Sequence, residues 1–535
     1  MALDERSAVD EPGGADEWGG SDGTGAVDGG GPGEESEVAL FRKLQERLPC
    51  PFGPDGAGPG QGPPGVVVVV PSFTLDQAGM DKIPGILHYE ERLLSFLQLL
   101  AEPGRRIVYV TSRPLPERVV DYALGLVRSV SARDARARLT LLDCGDDRPV
   151  PLTRKILQRP GLVERVRDLV PDPLDACVLA FNGSVYERRL AVRLGVPLYA
   201  CDPDLAGLGG KSGARALFKE AGVPVPPGVE GVRDGDDLVG ALAELRARHP
   251  GVRRAMIKLN ESFGAGGNAM FDYRGAPEGG ALEGWLRRTL PERVEFATPP
   301  DTWENYAGKL AEMGGVVEEF LQGEEVVSPS AQVHVTPAGA VHVISTQDQR
   351  FEGVARQTYA GCSFPARAEY RLGLQELAGR AGRALAARGM IGIASVDFVT
   401  VREGDAFRHH AVEINLRMGG GTAPLMFLHG VTGGRYEPGT GGFLTPEGEP
   451  RCYVASDRVQ SPAYRSLTPE RVLDAAARQG VLYRHDEGRG AVFHMLGALP
   501  GFGKLGVVAV DSTPEGAEVC FRKVVDFLDT LAAEG

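Results

Sequence analysis

The sequence lacks the features that mark disulfide-rich, zinc-binding, secreted and membrane-spanning proteins. Its seven cysteines form no C-x-x-C pair and no cluster with histidine, which argues against a disulfide framework or a structural zinc site. The longest aliphatic run, Val66 to Val70, is far too short to span a bilayer, and the N-terminus has no signal-peptide pattern. We therefore predict a protein of the reducing cytoplasm with no membrane partner.

Basic runs with interleaved aromatic residues are also missing from the sequence. The formal net charge is −14, but residues 1–37 contain eleven Asp or Glu and one basic residue, Arg6, so this segment carries about −10 of it. The rest of the chain is nearly neutral and lacks the positive surface that a nucleic-acid backbone requires. Nucleic acid is therefore not an expected partner.

The length of 535 residues and the changes of pattern along the chain predict several domains. Residues 1–38 have few aliphatic side chains and are predicted to be a disordered acidic tail, followed at 39–65 by a short helix and a Gly/Pro linker. Continuous aliphatic strands alternate with amphipathic helices at 66–202, which predicts an α/β domain with a parallel sheet. Strands separated by polar turns predict α+β structure at 203–430 and a smaller α+β unit at 431–535.

A glycine-rich turn follows a strand that carries Lys258. Gly264, Gly266 and Gly267 lie in this turn, where backbone N–H groups can approach phosphate oxygens that a Cβ would exclude. An ordinary glycine hairpin would give the same pattern. The turn does not open a helix, so the dinucleotide fingerprint G-x-G-x-x-A is rejected, and the segment GLGGKSGA around Lys211 lacks a glycine that a P-loop requires.

The segment VVEEFLQGEEVVS at 316–328 sets four carboxylates within eight positions beside apolar strand residues. The backbone of such a strand could pair with adenine, with Glu318 accepting from the exocyclic amine and Glu325 binding ribose hydroxyls. A solvated acidic turn would explain the same composition, so both interpretations stay open at this point.

The strongest pattern is SVDFVTVREGDAFRHHAVEINLRMGGG, which predicts two strands joined by a polar turn. Asp397 lies on the first strand, and Glu413, Asn415 and Arg417 lie on the second at spacings of two, so that they share one face. Two carboxylates and an amide oxygen suit Mg²⁺ that is also coordinated by substrate phosphates. Burying this much charge with no ion or ligand would be costly, so we predict a metal site.

A polar segment at 345–366 follows another predicted strand. It supplies Gln349, Arg350 and Arg356, which could orient a carboxylate substrate. An exposed polar loop is the alternative interpretation.

Taken in order, Lys211, Lys258 with its glycine turn, E-E-F-L-Q-G-E-E, Asp397 and E-I-N-L-R resemble the ATP-grasp superfamily over about residues 201–430. The resemblance implies an ATP-grasp fold with ATP and Mg²⁺ as cofactors. The roles it implies are phosphate binding by Lys211 and Lys258, with Gly264, Gly266 and Gly267 covering the phosphates; adenine binding by Glu318 and the backbone of Glu319, Phe320 and Leu321; ribose binding by Glu325; Mg²⁺ binding by Asp397, Glu413 and Asn415; and stabilisation of the reacting centre by Arg417.

The flanking segments resemble the pheganomycin-type peptide ligases more narrowly. PSFTLD, HYEERLLSFLQLL and VYVTSRPLPERVVDYAL are similar to their pre-ATP-grasp domain, and YVASDRV, GAVFHMLGAL and KLGVVAVDSTPEGAE to their C-terminal domain. The resemblance thus spans about 66–535. It implies a pre-ATP-grasp domain at 66–202, an ATP-grasp domain at 203–430 with a lid subdomain at about 212–328, and the family C-terminal domain at 431–535.

The resemblance implies an ATP-dependent carboxylate–amine ligase that forms an amide or peptide bond through an acyl phosphate. Its substrates would be a small carboxylate and an amine or peptide acceptor, with Lys258 and Arg417 as catalytic residues. Arg350, from the polar segment at 345–366, is a further catalytic candidate. Two alternatives stay open: an ATP-grasp phosphotransferase acting on a hydroxyl-bearing metabolite, and a non-catalytic ATP-binding module. The hydrophobic strands of the C-terminal unit could also serve as a homodimer contact.

Overall fold

The first sheet of the protein is parallel and lies in its N-terminal part. The computed structural model describes residues 34–52, 63–74, 80–81, 83–261, 267–297, 302–352 and 358–534. The strands of this sheet are β1 (Val66–Val70), β2 (Arg106–Thr111), β3 (Leu139–Asp143), β4 (Ala176–Ala180) and β5 (Leu198–Tyr199). They run in the order β3-β2-β1-β4-β5, with every pair parallel.

Helices cover both faces of this sheet, which explains why β1 is valine throughout. All five valines are buried, and they alternate between two separate hydrophobic clusters. The prediction of a parallel α/β domain is confirmed. The helices of this region are a 3-10 helix at Ile86–Ala101, α-helices at Glu117–Gly125, Ala132–Ala137, Leu152–Leu157, Pro160–Asp168 and Val185–Leu194, and 3-10 turns at Pro173–Asp175 and Pro203–Gly209.

The second sheet is antiparallel and is built from residues in the middle of the chain. Its strands are β6 (Gly228–Val232), β7 (Arg254–Leu259), β8 (Asn268–Asp272), β9 (Glu295–Phe296) and β10 (Gly315–Glu319), in the order β6-β10-β7-β8-β9. Its own apolar cluster packs the sheet against its helices. The helices of this region are Lys211–Glu220, Gly235–Arg248, Leu282–Arg293 and Trp303–Met313, with a 3-10 turn at Gly279–Ala281.

The third sheet has nine strands and carries the predicted metal strands. The nine strands are β11 (Val326–Val327), β12 (Pro329–Val335), β13 (Val341–Glu352), β14 (Thr358–Phe364), β15 (Gly392–Glu403), β16 (Ala406–Asn415), β19 (Cys452–Gln460), β20 (Gly490–His494) and β21 (Lys504–Asp511). Their order in the sheet is β11-β15-β12-β13-β14-β19-β21-β20, with β16 also paired to β15. A separate hairpin is formed by β17 (Arg435–Glu437) and β18 (Gly442–Leu444).

The last three strands continue this sheet instead of forming a sheet of their own. The junction is an antiparallel pairing of β14 with β19, in which Cys362 lies opposite Ala455. The predicted unit at 431–535 is therefore joined to the preceding domain by backbone hydrogen bonds. The helices of this region are Arg371–Ala386, Thr422–Thr432, Pro469–Arg478, Leu499–Phe502 and Pro514–Ala533, with 3-10 turns at Pro462–Ser466 and Leu496–Ala498.

The first described segment differs from the prediction of a disordered tail over residues 1–38. A helix at Glu34–Gln45 includes residues 34–38 of that segment. It is anchored because Phe41 is fully buried and Glu37 forms an ion pair with Arg189 at 3.0 Å. The rest of the predicted tail, residues 1–33, lies outside the described residues. Among the helices that are described, none combines the length and the apolar character needed to cross a membrane.

Candidate active site

The predicted metal residues lie together at the end of the β15–β16 hairpin. The antiparallel register sets Asp397 opposite Glu413, and Ser395 opposite Asn415. The Asn415 side-chain NH₂ donates to the Asp397 carboxylate at 3.2 Å, and Arg417 donates to the side-chain oxygen Oδ1 of Asn415 at 3.1 Å. The four side chains that the sequence pattern placed on one face are thus neighbours in the fold.

The two carboxylates of this group, Asp397 and Glu413, repel each other because they carry like charges. Burial raises the pKa of Asp397, and the neighbouring charge of Glu413 raises it further, while Lys211 and Arg417 act in the opposite direction. Two carboxylates that repel each other, together with an amide oxygen, form a donor set that suits Mg²⁺ shared with phosphate oxygens. Within the described residues no group of three or more His, Cys, Asp or Glu gathers to hold a metal, so a dedicated all-protein cage is not seen there.

Lys211 reaches this group from the first turn of a helix. It is the first residue of Lys211–Glu220, is 6% exposed, and its ammonium forms an ion pair with Glu413. The Asn260 side chain accepts from the N–H of Ser212 at 3.0 Å and from its hydroxyl at 2.8 Å, which ties the start of the helix to the end of β7. The positive end of the helix and the lysine therefore face the same site, as a phosphate-binding position requires.

Lys258 lies on β7 and forms a buried ion pair with Glu318 on the adjacent strand. The Nζ–Oε2 distance is 2.5 Å, and the Glu318 side chain is 2% exposed. Arg215 donates to the other carboxylate oxygen at 2.6 Å. Burial opposes ionisation of Glu318, but the charges of Lys258 and Arg215 outweigh it and hold its pKa below the usual value. The carboxylate of Glu318 is thus held by two cations, and its predicted adenine contact stays a prediction.

Two of the three backbone N–H groups of residues 319–321 already donate within the protein. The N–H of Glu319 donates to Pro227 at 2.8 Å, and that of Phe320 donates to Arg254 at 3.0 Å. Across the described part of the chain, no recorded hydrogen bond uses the N–H of Leu321. This arrangement is compatible with the predicted adenine contacts of residues 319–321, which stay predictions.

The contacts of Glu325 and of the glycine turn bear less directly on the roles predicted for them. Glu325 accepts from Arg367 at 2.7 Å, so the predicted ribose ligand is held by a guanidinium. The Gly267 carbonyl accepts from the N–H of Leu259 and from the Tyr306 hydroxyl, both at 3.0 Å, which fixes the end of the turn. Gly264 and Gly266 lie outside the described residues, so their predicted phosphate contacts are not described.

The side chain of Gln349, rather than that of Arg350, reaches the Asp397 group. Gln349 donates to the Asp397 carboxylate at 3.0 Å, whereas Arg350 forms an ion pair with Glu518 of the last helix. Consecutive residues of a strand point to opposite faces, so only one of the two can face Asp397. The contact of Arg350 gives no support to its predicted catalytic role, and Arg356 lies outside the described residues. Gln349 and Asp397 are 48 positions apart, so no local pattern in the sequence favours Gln349 over Arg350 as the residue that reaches Asp397.

The N-terminal sheet closes the other side of the site. Asn182, just after β4, makes an isolated bridge with Arg417, and the N–H of Met418 donates to the carbonyl of Phe181 at 3.1 Å. The Arg417 guanidinium lies 5.9 Å from the centroid of the Phe181 ring. The carboxyl end of the parallel sheet thus meets the metal strand, where ligands of α/β sheets usually bind.

Comparison with known proteins shows which families and proteins this chain resembles. The family described as "IQCH-like, ATP-grasp" matches residues 203–276 and 289–438, and the family "PGM1 C-terminal domain" matches residues 471–524. The L-propargylglycine–L-glutamate ligase of Streptantibioticus cattleyicolor is 31% identical over 459 residues, covering 84% of this chain and 91% of that protein.

Two further similarities are more distant. IQ motif-containing protein H of Danio rerio is 23% identical over 398 residues, which cover 66% of this chain and 37% of that protein. The solved structure of biotin carboxylase from Campylobacter jejuni in its βγ-ATP complex has a TM-score of 0.52 at 14% identity, covering 88% of this chain and 94% of that one. This last similarity concerns the fold alone.

Proposed function

This chain belongs to the ATP-grasp carboxylate–amine ligases of the pheganomycin type, and on that premise we propose that it joins an amino-acid or peptide carboxylate to an amine through an acyl phosphate. The observation that carries the proposal is the contact chain from Asp397 through Asn415 to Arg417, with Lys211 paired to Glu413 beside it. The substrate class follows from the similar ligase, whose name specifies two amino acids.

Asp397, Glu413 and Asn415 would hold Mg²⁺, because their oxygens fit a hard cation and their mutual repulsion would be relieved by one. Bound there together with ATP, Mg²⁺ would neutralise phosphate charge and so favour transfer of the γ-phosphoryl group. When phosphate oxygens bind, Lys211 would either leave Glu413 or contact Glu413 and the phosphate together, since the proposed phosphate site and Glu413 lie next to each other. Its position at a helix N-terminus adds to the attraction for those oxygens.

Lys258 is the second lysine proposed to bind phosphates, and the buried Glu318 keeps it in place. A lysine side chain that is only 13% exposed and already paired loses little conformational freedom when it binds a ligand. The Leu321 N–H and the neighbouring carbonyls would hold the adenine edge, Glu325 the ribose, and Gly264, Gly266 and Gly267 would cover the phosphates.

In the proposed reaction a carboxylate oxygen of the donor attacks the γ-phosphorus, and ADP leaves. The amine of the acceptor then attacks the acyl carbon, the bond to the phosphate oxygen breaks, and phosphate and one proton are released. Arg417 would hold the reacting oxygens, a role supported by its contact with Asn415 and by its bridge to Asn182 of the N-terminal region. One such preorganised donor contributes about 3 to 4 kcal/mol to the stabilisation of an oxyanion.

Hydroxylamine trapping tests this proposal against its two alternatives. With ATP, Mg²⁺, a panel of amino acids and hydroxylamine in place of the acceptor, a ligase yields an acyl hydroxamate together with ADP and phosphate. A phosphotransferase yields a stable phosphorylated product, and an ATP-binding module yields neither. Absence of any hydroxamate over the whole panel of amino acids and short peptides would refute the proposal.

A further inference from the structure

Asn182 lies just after β4, at the carboxyl end of the parallel sheet, and its side chain has no role in the function proposed above. Its backbone bridges that of Arg417 in antiparallel fashion, and the N–H of Met418 donates to the carbonyl of Phe181 at 3.1 Å. This hydrogen bond joins the residue after Arg417 to the residue before Asn182, so the bridged residues are a non-hydrogen-bonded pair. In such a pair the Cα atoms lie only about 4.5 Å apart, and both side chains project from the same face.

That face carries the proposed reacting centre. Arg417 donates to Oδ1 of Asn415 at 3.1 Å, and the NH₂ of Asn415 donates to the Asp397 carboxylate at 3.2 Å. Asn182 therefore extends a row of polar side chains that begins at the proposed metal site and reaches the N-terminal domain. Asn182 is only half-buried, so a ligand can contact its side chain.

The loop after β1 fixes the orientation of the Asn182 amide. The N–H of Thr74 donates to its Oδ1 at 3.0 Å, which identifies that atom as the oxygen of the amide. The Thr74 hydroxyl donates to the buried carboxylate of Glu187 at 3.1 Å, so the loop is itself anchored. Among the hydrogen bonds of the described residues, none uses the NH₂ of Asn182. The amide oxygen is thus engaged, and the NH₂ is left for a ligand.

Both neighbours of Asn182 in the chain hold its backbone in place. A Cβ on Gly183 would lie 1.8 Å from the carbonyl oxygen of Cys201, so only glycine permits this close approach. Phe181 is buried, and its ring packs against that of Phe73 with 5.1 Å between the centroids. An amide fixed in this way loses little conformational freedom when it binds a ligand.

The available NH₂ determines which kind of group can bind there. It can only donate, so its partner must offer an acceptor such as a carboxyl oxygen, whereas the ammonium group of an amine substrate offers only donors. The guanidinium of Arg417 beside it attracts an anion. The phosphates of ATP have their own proposed cations in Lys211 and Lys258, so the carboxylate of the donor is the anion that remains for Arg417 and Asn182.

We propose that Asn182 binds the donor substrate, with its side-chain NH₂ donating to a carboxyl oxygen of the donor beside Arg417. The proposal rests on the ligase function stated above. The oxygen held by Asn182 is the one that does not attack the γ-phosphorus. It becomes the carbonyl oxygen of the acyl phosphate and carries the negative charge when the amine adds to the acyl carbon, so the same hydrogen bond serves both steps. The donor then lies at the junction of the N-terminal sheet and the metal hairpin.

Two substitutions test the NH₂ group separately from the rest of the side chain. Asn182→Asp keeps an oxygen for the Thr74 N–H but replaces the NH₂, and Asn182→Ala removes the NH₂ without adding a charge. In both variants kcat/KM for the donor is expected to fall at least ~10-fold, because a hydrogen bond to a charged group is lost. Hydroxamate formation measures it, with the amino acid that the wild-type protein uses best as the donor.

The two variants must agree. A fall in Asn182→Asp alone would show that the new charge disables Arg417, and a fall in Asn182→Ala alone would show that only the contact with Thr74 matters. Either result would overturn the proposal, as would wild-type values in both variants.

Two further measurements on Asn182→Ala distinguish a lost substrate contact from a distorted site. The Kd for ATP without donor, and the Mg²⁺ concentration for half-maximal activity, are expected to stay within about threefold of wild type. A loss of ATP or Mg²⁺ binding that parallels the fall in kcat/KM would show that the substitution disturbs the metal group, and the proposal would fail.

The chain offers two matched controls. Asn305→Asp makes the same chemical change at an exposed position of the helix Trp303–Met313. Ser131→Ala removes the N-cap of the helix Ala132–Ala137 in the N-terminal domain, where the Ser131 hydroxyl accepts from the N–H of Asp134 at 3.0 Å. Both should keep kcat/KM for the donor within about twofold of wild type. If Ser131→Ala lowered it as much as Asn182→Ala does, a loosened N-terminal domain would be the cause and Asn182 would not bind the donor.

The wild-type protein separates failure of this proposal from failure of the ligase function. If it forms no hydroxamate with any amino acid or short peptide of the panel, the ligase function fails and the donor site fails with it. If it forms hydroxamate and both Asn182 variants do so with the same kcat/KM, only the role of Asn182 is refuted.

Discussion

The ammonium of Lys211 forms an ion pair with the carboxylate of Glu413, although 202 positions separate the two residues in the sequence. Lys211 begins a helix and Glu413 lies on the second metal strand, so this pair joins the proposed phosphate site to the proposed metal site. Because the two side chains touch, a phosphate group with its cation would have to replace this direct contact. The chemistry proposed for the chain depends on this junction.

Glu413→Gln is expected to abolish Mg²⁺-dependent turnover while the fold is kept. The substitution removes one negative charge from the metal group at nearly constant shape, and we expect kcat to fall at least ~10²-fold. Steady-state ADP release and the melting temperature measure the two effects. Glu403→Gln, an exposed change at the turn of the same hairpin, is the control. Normal turnover by Glu413→Gln would show that this carboxylate binds no essential cation.

Gln349 and Arg350 give opposite predictions for two adjacent substitutions. Gln349→Leu removes one of the two side-chain amides that donate to the Asp397 carboxylate, so the Mg²⁺ concentration for half-maximal activity should rise about tenfold. Arg350→Gln breaks only a contact with Glu518 and should change that concentration less. A titration of activity with Mg²⁺ measures both. The reverse order would favour the catalytic role that the sequence predicts for Arg350.

The lowered pKa of Glu318 is expected to make the free energy of unfolding depend on pH. Its pKa is lower in the folded protein than in the unfolded chain, so its stabilisation is present above about pH 4.5 and is lost as the pH falls through the folded-state pKa. Glu318→Gln leaves Lys258 and Arg215 without this partner and should lower the free energy of unfolding at pH 7 by roughly 3 kcal/mol.

Urea denaturation at pH 7 and over a series from pH 5 to pH 3 measures this effect. The loss of stability on acidification should be smaller for Glu318→Gln than for wild type. Glu324→Gln, an exposed change in the same segment, should stay within about 0.5 kcal/mol of wild type. Equal effects of the two substitutions would show that the buried carboxylate adds no stability.

Much of the fold and part of the site can be predicted from local patterns in the sequence. The valines of β1 alternate between two buried faces, so a parallel sheet with helices on both sides follows from their pattern. Asp397 and Glu413 were found because strand periodicity defines a face and their chemistry suits a cation. In both cases the information lies within a few neighbouring residues.

Contacts between distant segments were not predictable in the same way. Arg215 reaches Glu318 across 103 positions, and Arg92 reaches Asp457 across 365, and no periodicity encodes such partners. The pairing of β14 with β19 is likewise set by tertiary packing, so the continuation of the large sheet into the last strands was missed. The sequence predicts the short helix only from residue 39, and it assigns residues 34–38 to the disordered tail because an anchor such as Arg189 lies far along the chain.

Transfer of ¹⁸O from a labelled donor carboxylate tests the central claim most directly. If the carboxylate attacks the γ-phosphorus and the acyl–oxygen bond then breaks, one labelled oxygen must leave with each phosphate. Mass spectrometry of the phosphate formed with a ¹⁸O-carboxylate donor, ATP and an amine acceptor is expected to show one ¹⁸O per molecule. Unlabelled phosphate accompanying amide formation would contradict the acyl-phosphate mechanism.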